Sequence, residues 1–192
     1  GITYIRRSLV SIPDMAITGK HENIPRQRKG ASSDISYAVT ALSEAESKQL
    51  YRKARTNLLS ISRWKTLAGK LSADFILTDP FGNEVNRLPL QGDFIRIHLP
   101  SSKEGKFDWV RIESIEEEKN HRTENWISIR VRPSEMPKKQ EETEHFFSHE
   151  ATSSFSVERK DRQVAASVQG RNELPNTEAS GWMEKFRNGV IA

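Results

Sequence analysis

The sequence predicts an α+β fold, a mainly antiparallel β roll or small barrel with one long N-terminal helix packed on it. Two observations predict the strands: apolar and polar residues alternate over several short stretches, and no helix-length segment separates those stretches. The helix is predicted by a segment that places apolar residues three and four positions apart. A chain of 192 residues, 35% of them hydrophobic, can build the core of one such domain.

The first 42 residues are interpreted as an N-terminal strand or flexible arm. Residues 2–12 alternate loosely between apolar and polar side chains, whereas residues 13–34 contain proline, two glycines and several basic side chains. Such a composition is typical of a loop or an arm. We therefore expect a single α+β domain over residues 43–192.

The helix is predicted over residues 43–68. Ser43 and Glu46 have the spacing of a capping box, in which the serine oxygen accepts from the Glu46 amide and the glutamate reaches back to the Ser43 amide. A single apolar stripe follows at spacings of four, four and three, formed by Leu50, Ala54, Leu58 and Ile61. Such a stripe is typical of a helix that packs on a sheet.

Strands are predicted throughout residues 73–170. Ile127, Ile129 and Val131 alternate with polar side chains, which indicates a strand with one face in the core. The alternation slips at Ile115, which indicates a bulge. Two alternating stretches flank residues 160–162 and predict a tight hairpin, and a short C-terminal helix is predicted over residues 181–191.

Charge and composition exclude several classes of protein. There is no cysteine, so disulfides and thiolate chemistry are excluded. No apolar run reaches the roughly 18 residues of a membrane span, and we expect a soluble, cytoplasmic protein with no membrane partner.

The predicted helix lies in a basic segment. Residues 47–73 contain seven basic side chains and no acid. A basic helix is usually a solvated face, although it can also contribute to a nucleic-acid or membrane surface.

One sheet face is the first candidate site. If the isoleucines and valines of the central strands point inward, arginines and tryptophans share the opposite face, namely Arg96, Trp109, Arg111, Trp126, Arg130 and Arg132. Guanidinium groups bind phosphates and indoles stack on bases, so this combination suits single-stranded nucleic acid. The alternative is packing, with the tryptophans in the core and the arginines paired to Glu113 or Glu116.

A second candidate follows the last predicted strand. Arg171, Asn172 and Glu173 come just past its end, where loops often carry ligand sites. The alternative is a turn whose polar side chains satisfy nearby backbone amides.

The amino-acid sequence contains no complete catalytic or metal-binding motif. His145 and His149 have the four-residue spacing of a zinc-binding helix, but Glu150 lies outside the pair and no third ligand is identifiable. We therefore interpret them as surface histidines beside an acidic loop. We predict no catalytic residue, no metal ligand and no cofactor.

Two strings in the second half carry a family resemblance. Ala-Thr-Ser-Ser-Phe at 151–155, together with Gly-Arg-Asn-Glu-Leu-Pro-Asn at 170–176, resembles a group of uncharacterised bacterial proteins of Bacteroidetes type, and the resemblance spans about residues 64–176. It implies a bacterial origin and transfers no catalytic residue. Residues 92–115 are more weakly similar to SH3-like barrel modules, in which a Gly-Asp turn precedes two strands.

We therefore predict a non-enzymatic binding or interaction module that uses the Arg/Trp sheet face together with the segment 171–173. Its expected partner is single-stranded nucleic acid or another protein. Three alternatives stay open. One is an enzyme with an unrecognised polar site around His145, Asp108 and Glu173. Another is a helix-capped barrel that binds an apolar small ligand between Phe75, Phe94 and Phe155. The third is a subunit of a larger assembly that associates through Trp182 and Phe186.

Overall fold

Seven antiparallel strands and two helices make up the part of the chain that the structure describes. The computed structural model describes residues 31–68, 73–98, 105, 107–137 and 151–173. The helical elements are α1 (Glu44–Leu59), a 3₁₀ turn (Ile61–Arg63) and α2 (Trp64–Ala68). The strands are β1 (Ala31–Thr40), β2 (Asp74–Thr78), β3 (Phe94–His98), β4 (Asp108–Glu118), β5 (Glu124–Ser134), β6 (Thr152–Lys160) and β7 (Gln163–Glu173).

The strands form one sheet in the order β1-β7-β6-β5-β4-β3-β2. Every neighbouring pair is antiparallel, and strands β2 to β7 follow one another as a meander. The predicted α+β fold is therefore confirmed. A closed barrel would require the end strands β1 and β2 to pair. They lie at opposite edges of the described sheet, so of the two predicted forms, a roll or a small barrel, the closed barrel is wrong.

The alternation of side chains along the central strands is confirmed. Ile112, Ile127 and Ile129 are fully buried on one face of the sheet. Residues paired directly across two strands share a face, and the partners of these three, Val131, Val157 and Phe155, are buried as well. The register shifts once in β4, between Ile112 and Ser114. This is the predicted bulge, slightly earlier than Ile115, and it changes which face the last residues of β4 point to.

The start of α1 follows the predicted capping box with one difference. Ser43 Oγ accepts from the Glu46 amide at 3.1 Å, while Glu46 Oε2 accepts from the amide of Leu42 at 2.7 Å rather than from that of Ser43. The helix does not continue unbroken to residue 68. Ser60 leaves the helical conformation (φ −92°, ψ 72°), and its amide donates to the carbonyls of Thr56 and Asn57. The prediction of a single helix over 43–68 is therefore wrong at this residue.

Trp64 lies at the centre of the core between helices and sheet. Its ring is 1% exposed and lies 5.5 Å from Phe75 and 5.2 Å from Phe155, measured between ring centroids. Its Nε1 donates to the carbonyl of Leu58 at 3.0 Å. Of the predicted apolar stripe, Ala54, Leu58 and Ile61 are buried and Leu50 is half-buried. The helical layer thus covers the isoleucine and valine face of the sheet.

The first strand lies before the predicted start of the domain at residue 43. β1 pairs with β7 along almost its whole length, from Ala31 opposite Glu173 to Thr40 opposite Gln163. The predicted C-terminal helix over 181–191 lies outside the described residues. Among the helices that the structure describes, none is both long enough and apolar enough to pass through a lipid bilayer.

Candidate anion-binding pocket

Much of the predicted Arg/Trp face is engaged in contacts within the protein. Trp109 is only 8% exposed. Arg130 Nε lies 3.0 Å from Glu113 Oε2, and Arg132 binds the same carboxylate through Nε and, at 3.4 Å, through Nη2. Trp126 is half-buried. The pairing of arginines with Glu113 is the packing alternative that the sequence left open.

The other two arginines of this face are less tightly held. Arg96 lies over the ring of Phe107, with its guanidinium carbon 5.0 Å from the ring centroid, and its Nη2 is 4.0 Å from a Glu84 oxygen. Arg111 is exposed and lies opposite Arg132 in the ladder. A stacking platform requires accessible indoles. A role of this face in nucleic-acid binding therefore stays a prediction.

The predicted loop at Arg171, Asn172 and Glu173 is a strand. All three residues belong to β7, since the backbone pairs with β6 on one side and with β1 on the other. Arg171 Nη1 lies 2.5 Å from Asp34 Oδ1 and also donates to the Gly170 carbonyl at 2.7 Å. The interpretation of this segment as a loop is wrong, because the sheet extends three residues further than residue 170.

The remaining candidates do not form a site within the described residues. His145, His149, Trp182 and Phe186 lie outside these residues. The phenylalanines proposed for an apolar pocket do not share one: Phe75 and Phe155 pack on Trp64, and Phe94 points to the other sheet face. In the part of the chain that the structure describes, no cluster of three or more His, Asp or Glu side chains could hold a metal ion.

A pocket of about 500 Å³ opens to solvent between α1 and the turn that joins β4 to β5. Its helical wall consists of Lys48, Tyr51, Arg52 and Arg55. These positions are spaced by three, four and seven residues, so they lie on one face of α1. Three cationic side chains of the basic helix thus line a single concave site.

The opposite wall comes from the β4–β5 hairpin and the floor from the sheet. Glu117, Lys119, His121 and Arg122 form the hairpin wall, and Asn125 and Arg159 form the floor. The lining residues that the structure describes therefore include six Lys or Arg side chains and a single carboxylate. A concave site lined by one sign of charge concentrates the electrostatic potential and attracts ligands of the opposite sign.

Arg159 is a fully buried cation held by neutral acceptors. It follows Phe155 and Val157 on the inward face of β6 and is 1% exposed. Its Nε and Nη2 donate to Asn125 Oδ1 at 2.9 and 2.7 Å, and Nη2 and Nη1 donate to the carbonyls of Arg122 and Asp161, each at 3.0 Å. It makes no ion pair with a described carboxylate. Buried charges are normally paired, whereas this one is held by neutral acceptors alone among the described residues.

Glu117 is the only acid among the described lining residues, and cations contact both its oxygens. Arg55 binds it through two nitrogens, including Nη2 to Oε2 at 2.9 Å, and Lys119 Nζ lies 3.2 Å from Oε2. Burial raises the pKa of Glu117, but the hydrogen bonds from Arg55 and Lys119 outweigh it and hold the pKa below its usual value. The carboxyl is therefore ionised at neutral pH, and it neutralises part of the charge of these two cations.

Tyr51 places a neutral donor beside these charges. The residue is 6% exposed, and its hydroxyl has no hydrogen-bond partner among the described residues. Burial, followed by the nearby Glu117 carboxylate, raises the pKa of this phenol above its usual value. The hydroxyl is thus protonated at neutral pH. It can donate to an acceptor only if the surrounding side chains move slightly.

Sequence reasoning missed this pocket, although two signals were present. The basic residues of the helix were treated as a solvated face, while the spacing of Lys48, Arg52 and Arg55 already places them on one side. Arg159 follows the inward positions Phe155 and Val157 at period two, where an apolar residue is expected. A charged residue in an inward position is a signal of a polar site.

No protein-family model and no curated protein sequence matches this chain. Among solved structures, the chain is similar to truncated norcoclaurine synthase from Thalictrum flavum, with a TM-score of 0.41 and 7% identity over 87% of this chain and 96% of that one. A point mutant of the same enzyme, in complex with a transition-state analogue, has a TM-score of 0.40 and 7% identity, and the match covers 86% of this chain and 98% of that one. Ara h 8.0201 has a TM-score of 0.34 and 13% identity, with 84% of this chain and 99% of that one covered. Likenesses of this extent identify neither a ligand nor an activity.

Proposed function

We propose that this protein is a binding module for an anionic ligand, which it holds in the basic pocket between α1 and the β4–β5 hairpin. The observation that carries the proposal is Arg159, a buried guanidinium at the floor of a cationic pocket with only neutral acceptors around it. An anion in the pocket would supply the missing counter-charge.

Binding is favoured over catalysis by the chemistry of the lining. Among the described residues, the lining contains no serine, threonine or cysteine that could act as a nucleophile. Nδ1 of its one imidazole, His121, accepts from the Glu124 amide at 3.1 Å, so in the neutral ring Nε2 carries the proton and is not a base. The one carboxylate that could act as a base, Glu117, is ionised but already accepts from Arg55 and Lys119. A general base needs a lone pair directed at the substrate proton.

Isothermal titration calorimetry with inorganic phosphate at low ionic strength tests the proposal. We expect saturable binding to the wild-type chain and weaker binding to Arg52→Gln and Arg122→Gln. These two side chains line opposite walls, and neither forms an ion pair with a described residue, so their removal should leave the fold intact. Added sodium chloride should weaken binding through screening.

Arg63→Gln is the matched control, because it removes the same charge from an exposed position that does not line the pocket. If Arg63→Gln weakened phosphate binding as much as Arg52→Gln, the effect would come from net charge and the pocket would not be the site. No saturable binding of any tested anion by the wild-type chain would refute the proposal.

The Arg/Trp sheet face is a second candidate surface, because Arg111 is exposed there and forms no ion pair with a described residue. Titration with an oligothymidylate separates the two surfaces. Binding by this face predicts a loss in Arg111→Gln and a change in tryptophan fluorescence, whereas binding in the pocket predicts a loss in Arg52→Gln.

A further inference from the structure

Four cations of the pocket lack a carboxylate partner among the described residues: Lys48, Arg52, Arg122 and Arg159. Arg55 and Lys119 already share Glu117. A single monoanion would leave most of this charge uncompensated. The charge of the pocket therefore suits a ligand that carries several negative charges close together.

The size and composition of the pocket restrict the ligand further. A volume of about 500 Å³ is within the range of roughly 300–1,000 Å³ that small-molecule sites have, and it greatly exceeds that of one phosphate ion. Among the described residues, the lining side chains are charged or polar except for the buried phenol ring of Tyr51. The alkyl stems of the lysines and arginines contribute apolar surface, but the groups that can distinguish one ligand from another are the charged tips.

Arginines on facing walls suit several phosphoryl groups. Guanidinium groups bind phosphoryl oxygens through two parallel hydrogen bonds, and here Arg52 lies on the helical wall and Arg122 on the hairpin wall. From these observations, and resting on the proposed function, we infer that the pocket binds a small polyanion with at least two phosphoryl groups. One group contacts the helical wall and another the hairpin wall, with the Arg159 charge beneath both.

The experiment compares three probes by calorimetry at the same ionic strength: orthophosphate, tripolyphosphate and citrate. We expect tripolyphosphate to bind at least about tenfold more tightly than orthophosphate, equivalent to about 1.4 kcal/mol, and more tightly than citrate. Arg52→Gln and Arg122→Gln should each remove most of the tripolyphosphate advantage, because each removes one of the two walls. Arg63→Gln should retain the full advantage.

The outcomes separate this inference from the proposed function. Equal affinity for orthophosphate and tripolyphosphate would overturn the polyanion inference while the anion site stands. Tighter binding of citrate than of tripolyphosphate would overturn the assignment to phosphoryl groups. Binding of none of the three would overturn both. A tripolyphosphate advantage that survives in both wall variants would place the ligand elsewhere and overturn the two-wall arrangement.

Discussion

Replacing Trp64 by alanine tests the packing that holds α1 over the sheet and thereby positions the helical wall of the pocket. The ring is 1% exposed, and it contacts Phe75 and Phe155. Substitutions of buried tryptophan or phenylalanine by alanine cost about 3–5 kcal/mol. The carbonyl of Leu58 would also lose its indole donor, which costs about 1 kcal/mol. We expect a loss of about 5 kcal/mol in the free energy of unfolding.

Urea denaturation followed by far-UV circular dichroism measures this loss independently of tryptophan fluorescence. A domain of this size is stable by about 5–15 kcal/mol, so Trp64→Ala is expected to unfold at low urea or to be partly unfolded in water. Trp64→Phe keeps the test interpretable. It retains most of the buried ring but loses the hydrogen bond to Leu58, and we expect a loss of about 2 kcal/mol.

Trp126→Ala is the matched control, since Trp126 is half-buried on the opposite face of the sheet. Its loss should be about 2 kcal/mol, in proportion to the smaller area buried. A Trp64→Ala variant no less stable than Trp126→Ala would refute the reasoning, because it would show that the helical layer is not anchored through this ring.

Three further predictions concern the pocket and the helix that forms its wall. Ser43→Ala should lower the free energy of unfolding by about 1 kcal/mol and Ser43→Gly by less, since the hydroxyl caps the Glu46 amide; equal losses in urea denaturation would contradict this. Because the folded-state pKa of Glu117 is lowered, its contribution to stability is present above the ordinary pKa of about 4.5 and is lost as pH falls through the folded value. The difference in unfolding free energy between wild type and Glu117→Gln should therefore shrink from pH 7 to pH 3, and a pH-independent difference would be incompatible with the Arg55 pair. Arg159→Met leaves Asn125 Oδ1 and the Arg122 carbonyl without a donor, while the Asp161 carbonyl keeps its bond from Ser47 Oγ. The variant should cost about 3 kcal/mol by thermal or urea unfolding, and an increase in stability would show that the buried charge costs more than its hydrogen bonds contribute.

Local patterns predicted the parts of the fold that depend on residues close in sequence. The Ser43 and Glu46 pair marked the start of α1, and alternation marked the inward positions Ile127 and Ile129. The sequence predicts a strand or flexible arm for the first 42 residues but gives no bounds for β1, because the serines and aspartate of Ala31–Thr40 have low strand propensity, although Ile35, Tyr37 and Val39 alternate. β1 is a strand because β7 pairs with it, and that pairing joins residues more than a hundred positions apart.

The pocket depends on the same kind of long-range pairing. Asn125 lies directly opposite Arg159 in the ladder, and Glu117 lies opposite Ile127 only because of the register shift in β4. Without the shift, Glu117 would point to the other face, away from Arg55. The slip that the sequence indicates near Ile115 also precedes Glu117 and turns it to the same face. Which side chains of α1 then face Glu117 depends on the packing of the helix on the sheet, and no local pattern resolves that.

The hydrogen bonds of Arg159 have a consequence for slow motions at this end of the sheet. The guanidinium links Asn125 to the turn at Arg122 and to the turn at Asp161, and Asp161 also accepts from Ser47 Oγ in the first turn of α1 at 2.8 Å. Two hairpins and a helix terminus are thus joined through one side chain, and we expect them to open as one cooperative unit. Amide hydrogen–deuterium exchange should report this directly: an anion bound above Arg159 should slow exchange in both hairpins and at the start of the helix together.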